Sequence, residues 1–580
     1  MIALRPQAAV AASFFIVSVL FSSTASAESP VATPDSSPIL TPTPTAIDSP
    51  VLSPSAEALR VELTLRYDPA ANERRFYEAR GFQPLWLTED GTATPAARAL
   101  LSWAGKADAN GLPAGPANGR YGVFGLAARL DKATSGAISS AVALETDLTR
   151  LFLTYGRDIS SGMLEPRSVN RNIDVEPRRT DPAELLARLG ATGDIPAFLA
   201  GLAPSDPSYN RLLMLYADMR QIVRNGGWGA QVDQGNTLRP GDRDPRIEQL
   251  RARLIALGDM APAEQVATSE VMNDATLPAT GPFLFDAALE AGVRRFQSRH
   301  GLNTDGVVGA MTLAALNTTA AQRAAQAAVG LERMRWLNYD LGARHVVINI
   351  AAYNMTMFEN GVPRFSTRTV VGKSRKHQTA EFNDQLEFIV VNPTWNVPYS
   401  IASKEILPLL QEDPTYLEQH NMELLGSDLP ASEIDWTQIT RRTFPGRLRQ
   451  RSGPDNALGS VKFLFPNNHS IYMHDTPSRK LFARDRRAYS HGCVRLEDPI
   501  GFAHLLLSLQ DDDPVGTFDR LRSQLEERWV TVREPIPVYV TYRTAWLDAE
   551  GTRQFRADVY RRDRDVMAAL AAEGVSINGQ

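Results

Sequence analysis

Residues 470–495, SIYMHDTPSRKLFARDRRAYSHGCVR, contain the residues from which the fold and chemistry of this chain are best interpreted. This segment holds Cys493, the single cysteine among 580 residues, together with His474 and His491, two of eight histidines. The alternating run that ends at His474 predicts a β-strand. A thiol becomes a strong nucleophile when a nearby imidazole takes its proton. The segment therefore predicts a nucleophile and a base on two different elements that could converge.

A single cysteine is often only a small buried side chain, and this alternative has to be weighed first. Two features argue against it at Cys493. Its neighbours are small and polar rather than apolar, and an exported chain would carry the thiol unpaired into an oxidising compartment. Gly492, immediately before it, lets the backbone approach a substrate closely. These features favour a reactive thiol.

The order of residues in this segment resembles the signature of the L,D-transpeptidases, cysteine enzymes that cross-link peptidoglycan. His474 is followed after fifteen residues by Ser490, His491, Gly492 and Cys493. The form with Val-Arg after the cysteine is similar to the one common in Gram-negative bacteria. The resemblance implies that Cys493 is the nucleophile and His474 its base, with Ser490 and Gly492 as parts of the catalytic loop.

Acyl transfer at an amide also needs an oxyanion site and a group that orients the base. The backbone N–H groups of Gly492 and Cys493 are the expected oxyanion donors, and Tyr472 can add its hydroxyl. No acidic residue is obviously placed to orient the imidazole of His474. The resemblance implies a backbone carbonyl in that role, and we predict that it belongs to Ser490.

Four residues are predicted to contact the substrate or shape its site, namely Arg495, Tyr472, His491 and Trp395. Arg495 could hold a carboxylate with two hydrogen bonds, although an ion pair with Glu497 or Asp498 is an equally good interpretation. Some family members carry Asn at the position of Arg495. His491 is expected to shape the loop rather than act as a second base. Trp395 lies in a proline-stiffened aromatic loop typical of larger family members.

By resemblance, the donor is a peptidoglycan tetrapeptide stem. Cys493 would attack the carbonyl of its third residue, expel D-Ala, and pass the acyl group to an amine of a second stem, which gives a 3–3 cross-link. Water as the acceptor would instead make the protein a carboxypeptidase or hydrolase, because the shape of the cleft chooses the acceptor. A non-catalytic wall-binding protein is the second alternative. The resemblance further implies acylation by carbapenems of a Cys493 thiolate held beside an imidazolium.

Composition narrows the remaining possibilities. A chain of 580 residues should hold several domains, and 43% hydrophobic residues suffice for packed cores. A formal net charge of −5 implies no general nucleic-acid partner. One cysteine excludes an intrachain disulfide, and no CxxC or HExxH spacing indicates zinc. We therefore expect neither a metal nor a cofactor.

The N-terminus has the features of a targeting segment. Arg5 precedes an apolar run from residue 8 to residue 21, and Ala-Ser-Ala at residues 25–27 is a small-x-small cleavage site. We predict a cleaved secretory signal over 1–27 and a periplasmic location, with an uncleaved anchor as the alternative. Residues 28–55, rich in Pro, Ser and Thr, are predicted to be an extended linker.

The rest of the chain divides into four parts, and the expected fold class is multidomain α+β. Helical periodicity over 56–240 resembles the scaffold domain of larger L,D-transpeptidases, with 319–336 expected to complete it. Residues 241–318 resemble a three-helix peptidoglycan-binding domain in their sequence motifs, which are Phe296-Gln297, Gly301-Leu302 and Asp305-Gly306. Such a domain either binds glycan or acts as a spacer. Residues 337–545 predict a mainly β catalytic domain with a helical capping insertion at about 400–455. A strand, placed at 555–559, and a helical tail are expected in 546–580.

Overall fold

The computed structural model describes residues 54–114, 119–132, 138–262, 282–374 and 376–577. The predicted signal segment and all but the last two residues of the predicted linker lie outside these ranges. Within these five ranges, the helices are all too short or too polar to cross a membrane.

The N-terminal third of the structure is helical, as its periodicity predicts. Its helices are α1 (Pro54–Arg66), α2 (Asn72–Ala79), α3 (Pro95–Ala104), α4 (Val123–Lys132), α5 (Ile138–Ser161), α6 (Pro166–Val169), α7 (Pro182–Ala191), α8 (Ile195–Ala200) and α9 (Pro207–Arg224). Several begin where a capping oxygen is followed by proline. The carboxylates of Asp181 and Asp206, for example, accept backbone N–H bonds, and Pro182 and Pro207 follow them directly.

A three-helix unit and a long connecting helix follow. They are α10 (Arg246–Leu257), α11 (Ala287–Arg299), α12 (Ala310–Leu316) and α13 (Ala320–Trp336). Helix α10 ends at Gly258, whose φ of 82° is the left-handed conformation that suits glycine. The three helices do not form a separate core, because their buried faces share one hydrophobic cluster with α9 and α13. Arg253 of α10 reinforces this junction by donating to the carbonyls of Trp228 and Leu316.

The strands of the following region form the β-rich part of the molecule. They are β1 (Arg344–Asn349), β2 (Asn354–Glu359), β3 (Val362–Gly372), β4 (Phe382–Val391), β5 (Trp395–Asn396), β6 (Met422–Leu425), β7 (Arg447–Gln450), β8 (Val461–Leu464), β9 (Met473–His474), β10 (Ala488–Ser490), β11 (Val494–Leu496) and β12 (Arg528–Thr541). Nine of them form one sheet, in the order β10-β3-β11-β9-β8-β4-β12-β1-β2. Because β2 also pairs with β3, this sheet closes on itself.

Helices α17 (Pro499–Ser508) and α18 (Pro514–Ser523) pack against this sheet. Phe502 of α17 is fully buried, and its ring lies 4.8 Å from that of Phe463 on β8. Helix α17 starts at the predicted cap, since the carboxylate of Asp498 accepts the N–H of Gly501. Burial of such aromatic side chains supplies most of the free energy that holds a helix on a sheet.

The insertion between β4 and β8 forms a cap over one end of the sheet. It contains α14 (Tyr399–Ile401), a π-helix (Ala402–Ile406), α15 (Leu407–Glu412) and α16 (Tyr416–Gln419). The prediction of a helical insertion is correct for this part and wrong for the remainder, where β5, β7 and β6 form a three-stranded sheet. Buried Trp436 and Leu410 belong to the cap's own hydrophobic cluster, so the helices and the small sheet pack as one unit.

The C-terminal segment links the N-terminal helical region to the β-rich region. It consists of β13 (Ala545–Leu547), β14 (Arg553–Phe555) and α19 (Arg562–Ala572). The predicted strand at 555–559 is wrong beyond Phe555. Val566 and Leu570 of α19 pack in the core of the N-terminal helices. Arg562 reaches the other way and forms a buried ion pair with Glu381, next to β4. The architecture is the predicted multidomain α+β fold, with a mainly β catalytic domain.

Candidate active site

Strand pairing brings the predicted nucleophile and base together. His474 is the last residue of β9, and Cys493 immediately precedes β11. Strands β9 and β11 are parallel neighbours, with Met473 opposite Val494 and His474 opposite Arg495. The pairing therefore holds His474, at the end of β9, close to Cys493, just before β11, although the two residues are nearly twenty positions apart in sequence.

A pocket opens above these strands and is covered on one side by the cap. Its floor contains all the predicted site residues of this segment except Gly492, namely Tyr472, His474, Ser490, His491, Cys493 and Arg495. The cap contributes a mostly apolar wall that consists of Trp395, Ile401, Ile406, Leu409, Tyr416 and Met422. A site with a polar floor and an apolar wall can orient a substrate by both kinds of contact.

Cys493 is a partly exposed residue at the floor of this pocket. Its Sγ lies 3.7 Å from the carbonyl oxygen of Ser470. Desolvation by the surrounding walls raises the pKa of Cys493 to about 11. Hydrogen bonds from Tyr472 and the charge of Arg495 oppose this rise, because they stabilise the thiolate. The Tyr472 hydroxyl therefore lies beside the sulfur of Cys493, and its role as an oxyanion donor stays a prediction.

The imidazole of His474 is oriented by a different carbonyl from the one predicted. Its Nδ1 lies 2.5 Å from the carbonyl oxygen of the next residue, Asp475. The predicted acceptor, the Ser490 carbonyl, instead receives the N–H of Lys373. Asp475 is itself fixed, since its carboxylate accepts the N–H of Ser460. A carbonyl only accepts, so Nδ1 carries the proton and Nε2 keeps the lone pair that a general base needs.

Burial favours the neutral form of both the thiol and the imidazole. His474 is 4% exposed, and burial together with the charge of Arg495 lowers its pKa to about 3. The Cys493 pKa near 11 means that the thiol also keeps its proton. Both shifts oppose the expected thiolate–imidazolium pair in the resting site, and that pair stays a prediction.

The loop before Cys493 has an internal hydrogen-bond pattern that changes the predicted oxyanion site. The Oγ of Ser490 donates to the carbonyl of Cys493 at 2.5 Å and accepts the N–H of Gly492 at 3.2 Å. The N–H of Gly492 is thus engaged, and its prediction as an oxyanion donor is wrong. Among the residues that the structure describes, no acceptor lies on the N–H of Cys493. This N–H and the Tyr472 hydroxyl remain as candidate donors.

Arg495 does not form the ion pair that was its alternative role. Glu497 pairs with Arg368, and the Asp498 carboxylate caps α17. The Nε of Arg495 is buried, with no hydrogen-bond partner in the described part of the chain. Burial lowers the pKa of the guanidinium. A cation in the pocket without a carboxylate partner is suited to bind a substrate carboxylate.

His491 joins the nucleophile loop to the cap. Its Nε2 lies 2.6 Å from a carboxylate oxygen of Glu405 in the π-helix, and its ring centre lies 4.6 Å from that of His377. This contact agrees with a loop-shaping role for His491. Glu405 and His377 were not predicted, although the rarity of histidine in the chain could have drawn attention to His377.

A hydrogen-bonded chain from the C-terminal segment supports the same loop. Thr379 donates from Oγ1 to the carbonyl of Gly492 at 2.7 Å and accepts the N–H of Gly372 at 3.0 Å. Tyr560 then donates its hydroxyl to the carbonyl of Gly372 at 2.6 Å. All three contacts are buried. Neither Thr379 nor Tyr560 carries a sequence signal, and Tyr560 lies well beyond the catalytic strands.

Comparison with protein families gives three matches, in chain order. A family described as "Scaffold domain" matches residues 72–214, and one described as "Putative peptidoglycan binding domain" matches residues 243–316. A third, described as "L,D-transpeptidase catalytic domain", matches residues 343–532. The third range contains the pocket floor and the cap.

Two curated proteins are similar to parts of the chain. A "Putative L,D-transpeptidase" of Haemophilus influenzae is 35% identical over 230 residues, which are 39% of this chain and 45% of that protein. An "N-acetylmuramoyl-L-alanine amidase CwlM" of Mycobacterium tuberculosis is 39% identical over 84 residues, 14% of this chain and 19% of that protein. The chain therefore spans less than half the length of either relative.

Solved structures also match, at low similarity. An L,D-transpeptidase from Stackebrandtia nassauensis is 12% identical, with a TM-score of 0.20, and the match covers 54% of this chain and 97% of that one. An L,D-transpeptidase from Mycobacterium smegmatis is 15% identical, with a TM-score of 0.17, and the match covers 34% of this chain and 58% of that one. TM-scores this low do not show that the folds are the same.

Proposed function

We propose that this chain, which carries an L,D-transpeptidase catalytic domain behind a scaffold domain and a peptidoglycan-binding domain, is a cysteine acyltransferase that forms 3–3 cross-links in peptidoglycan. One observation supports this most directly. Parallel pairing of β9 and β11 helps to bring Cys493, the oriented imidazole of His474 and Arg495, whose Nε has no partner among the described residues, onto one pocket floor.

The first half-reaction follows from this arrangement. Nε2 of His474 takes the thiol proton while Sγ of Cys493 attacks the carbonyl carbon of the third stem residue. The developing oxyanion is stabilised by the N–H of Cys493 and the hydroxyl of Tyr472. When the C–N bond breaks, the imidazolium returns its proton to the nitrogen of the leaving D-Ala, and a thioester remains on Cys493.

The second half-reaction reverses these roles with an amine as the attacking group. His474 takes a proton from the amine of a second stem as its nitrogen attacks the thioester carbon. The C–S bond breaks, the sulfur regains a proton from His474, and an amide cross-link is released. The apolar wall of the cap covers the thioester and limits the approach of water, which favours an amine carried by a bound stem.

Arg495 provides the charge that a stem peptide requires. Peptidoglycan stems end in carboxylates, and Arg495 has no carboxylate partner among the described residues. A buried guanidinium in that position binds a carboxylate strongly because water competes poorly there. Trp395 and Tyr416 on the opposite wall offer flat apolar surfaces for the aliphatic parts of the stem. The polar and apolar sides of the pocket thus match the two chemical sides of the substrate.

Product analysis tests the proposal. The purified chain is incubated with tetrapeptide-containing peptidoglycan fragments, and the products are identified by mass spectrometry. A cross-linked dimer that lacks one D-Ala is the expected product. A tripeptide without any dimer would establish the carboxypeptidase alternative, and unchanged fragments would support the wall-binding alternative. The Cys493→Ala variant, with folding checked by thermal unfolding, should give no product.

The same thiol should accept a carbapenem. Opening of the strained β-lactam ring would leave an acyl group on Cys493, and the covered thioester should persist because water is poorly placed. Intact-mass spectrometry should show one drug-derived adduct, located by peptide mapping to Cys493 and absent from Cys493→Ala. We further propose that the chain acts in the periplasm, on the basis of the signal sequence predicted for residues 1–27.

A further inference from the structure

We infer that His377, Glu405 and His491 form a binding site for a divalent transition metal ion such as Zn²⁺ at the edge of the pocket. One ligand atom from each of these residues lies within 4.8 Å of the other two. The three residues come from three separate segments, the loop after β3, the cap and the nucleophile loop. The site contains neither Cys493 nor His474.

The set of donor atoms suits zinc. Two imidazoles and one carboxylate, with one open position for water, are a common ligand set for this ion. Two zinc bonds at a tetrahedral angle hold their ligand atoms about 3.4 Å apart. The separations here run from 2.6 Å, between His491 and Glu405, to at most 4.8 Å. Adjustments of about 1 Å by partly exposed side chains would therefore complete the site.

The charges near the cluster both favour and oppose a bound cation. Glu405 supplies one negative charge. Lys373 and Lys404 nearby oppose a cation, so modest affinity is expected. On binding, the hydrogen bond between His491 and Glu405 is replaced by metal bonds, and any proton on the coordinating nitrogen is released to solvent.

A bound ion would fasten the cap to the loop that carries the nucleophile. Glu405 lies in the π-helix of the cap, between residues that line the pocket wall. His491 lies two residues before Cys493. Coordination of Glu405 and His491 to one ion is stronger than the hydrogen bond that it replaces, and water displaces it less readily. Metal binding should therefore slow the entry of molecules to Cys493, and any effect on cross-linking rests additionally on the proposed function.

Calorimetric titration of tag-free protein with ZnCl₂ tests the site. One ion per chain is the expected stoichiometry. Glu405→Gln and His377→Ala should each weaken zinc binding by at least ~10-fold. Even the loss of a residue that only hydrogen-bonds to a metal ligand lowers metal affinity by about this factor. His420→Gln, another histidine of the cap but outside the cluster, should bind like the wild type. Equal binding by all variants would refute the assignment.

The Cys493→Ala variant separates this site from metal capture by the thiol. It should retain zinc binding, and its complex with Co²⁺ should resemble that of the wild type, with no sulfur-to-cobalt charge-transfer band in either. Loss of binding in Cys493→Ala would overturn the proposal. Zinc should also slow iodoacetamide labelling of Cys493 in the wild type but not in His377→Ala. These measurements need no peptidoglycan, so they stand even if cross-linking is not observed.

Discussion

The pH dependence of labelling at Cys493 provides a stringent test of the neutral resting site. Desolvation raises the thiol pKa from its ordinary value of 9.0 to about 11. A shift of about 2 units lowers the thiolate fraction about 100-fold below that of a small thiol at neutral pH. Only the thiolate reacts with iodoacetamide. Labelling should therefore be slow near neutrality and rise about tenfold per pH unit well into the alkaline range.

The assay is clean because Cys493 is the only cysteine. Labelling is followed by intact mass over neutral to alkaline pH, with N-acetylcysteine as the reference thiol. Tyr472→Phe should move the rise to still higher pH, because it removes the hydroxyl hydrogen bond that lowers the thiol pKa and keeps only the backbone one. His474→Gln should leave the profile unchanged, since a neutral imidazole holds no thiolate.

The contrary result is easily recognised. A preformed thiolate–imidazolium pair would give a rate plateau around neutrality, above the rate of the reference thiol, and His474→Gln would abolish that plateau. Such a profile would refute the conclusion that burial dominates the electrostatics of the pair. It would restore an activated resting thiol and remove the need for proton transfer during the attack.

Four further outcomes are expected. His474→Ala should lower the cross-linking rate by at least ~10²-fold, the scale of lost general acid–base catalysis. Because the His474 pKa is lowered to about 3, protonation of this base should not reduce the rate as the pH falls from about 7 to about 5. Tyr560→Phe should lower the free energy of unfolding by about 1–3 kcal/mol, because it leaves the Gly372 carbonyl unpaired, and it should slow carbapenem acylation. The control is Tyr539→Phe, which removes a hydrogen bond to the carbonyl of Leu341 and should not slow acylation. Deletion of 241–318 should lower the melting temperature of the helical half, because α10–α12 share its core; an unchanged melting temperature would contradict this.

The main candidate residues of the site could be selected from the sequence because they form a local pattern. A sole cysteine in a Ser-His-Gly-Cys segment and a histidine at the end of an alternating run predicted Cys493 and His474, which the structure places in one pocket. Helix periodicity and capping residues likewise predicted the helical regions and the three-helix unit. These signals depend on interactions between residues that are close in sequence, so they can be predicted without knowledge of the fold.

The partners of those residues were decided by tertiary packing. Glu405 contacts His491 from 86 residues away, and Tyr560 reaches Gly372 across 188 residues. The Ser490 carbonyl seemed available to His474 in sequence, but pairing of β10 with β3 directs it to Lys373, while the fixed turn at Asp475 presents its own carbonyl. Hydrogen bonds and burial of this kind depend on which elements meet and at what register. Local propensity carries no information about that choice, so the pKa values, the oxyanion donors and the junction between cap and loop emerged only in the folded structure.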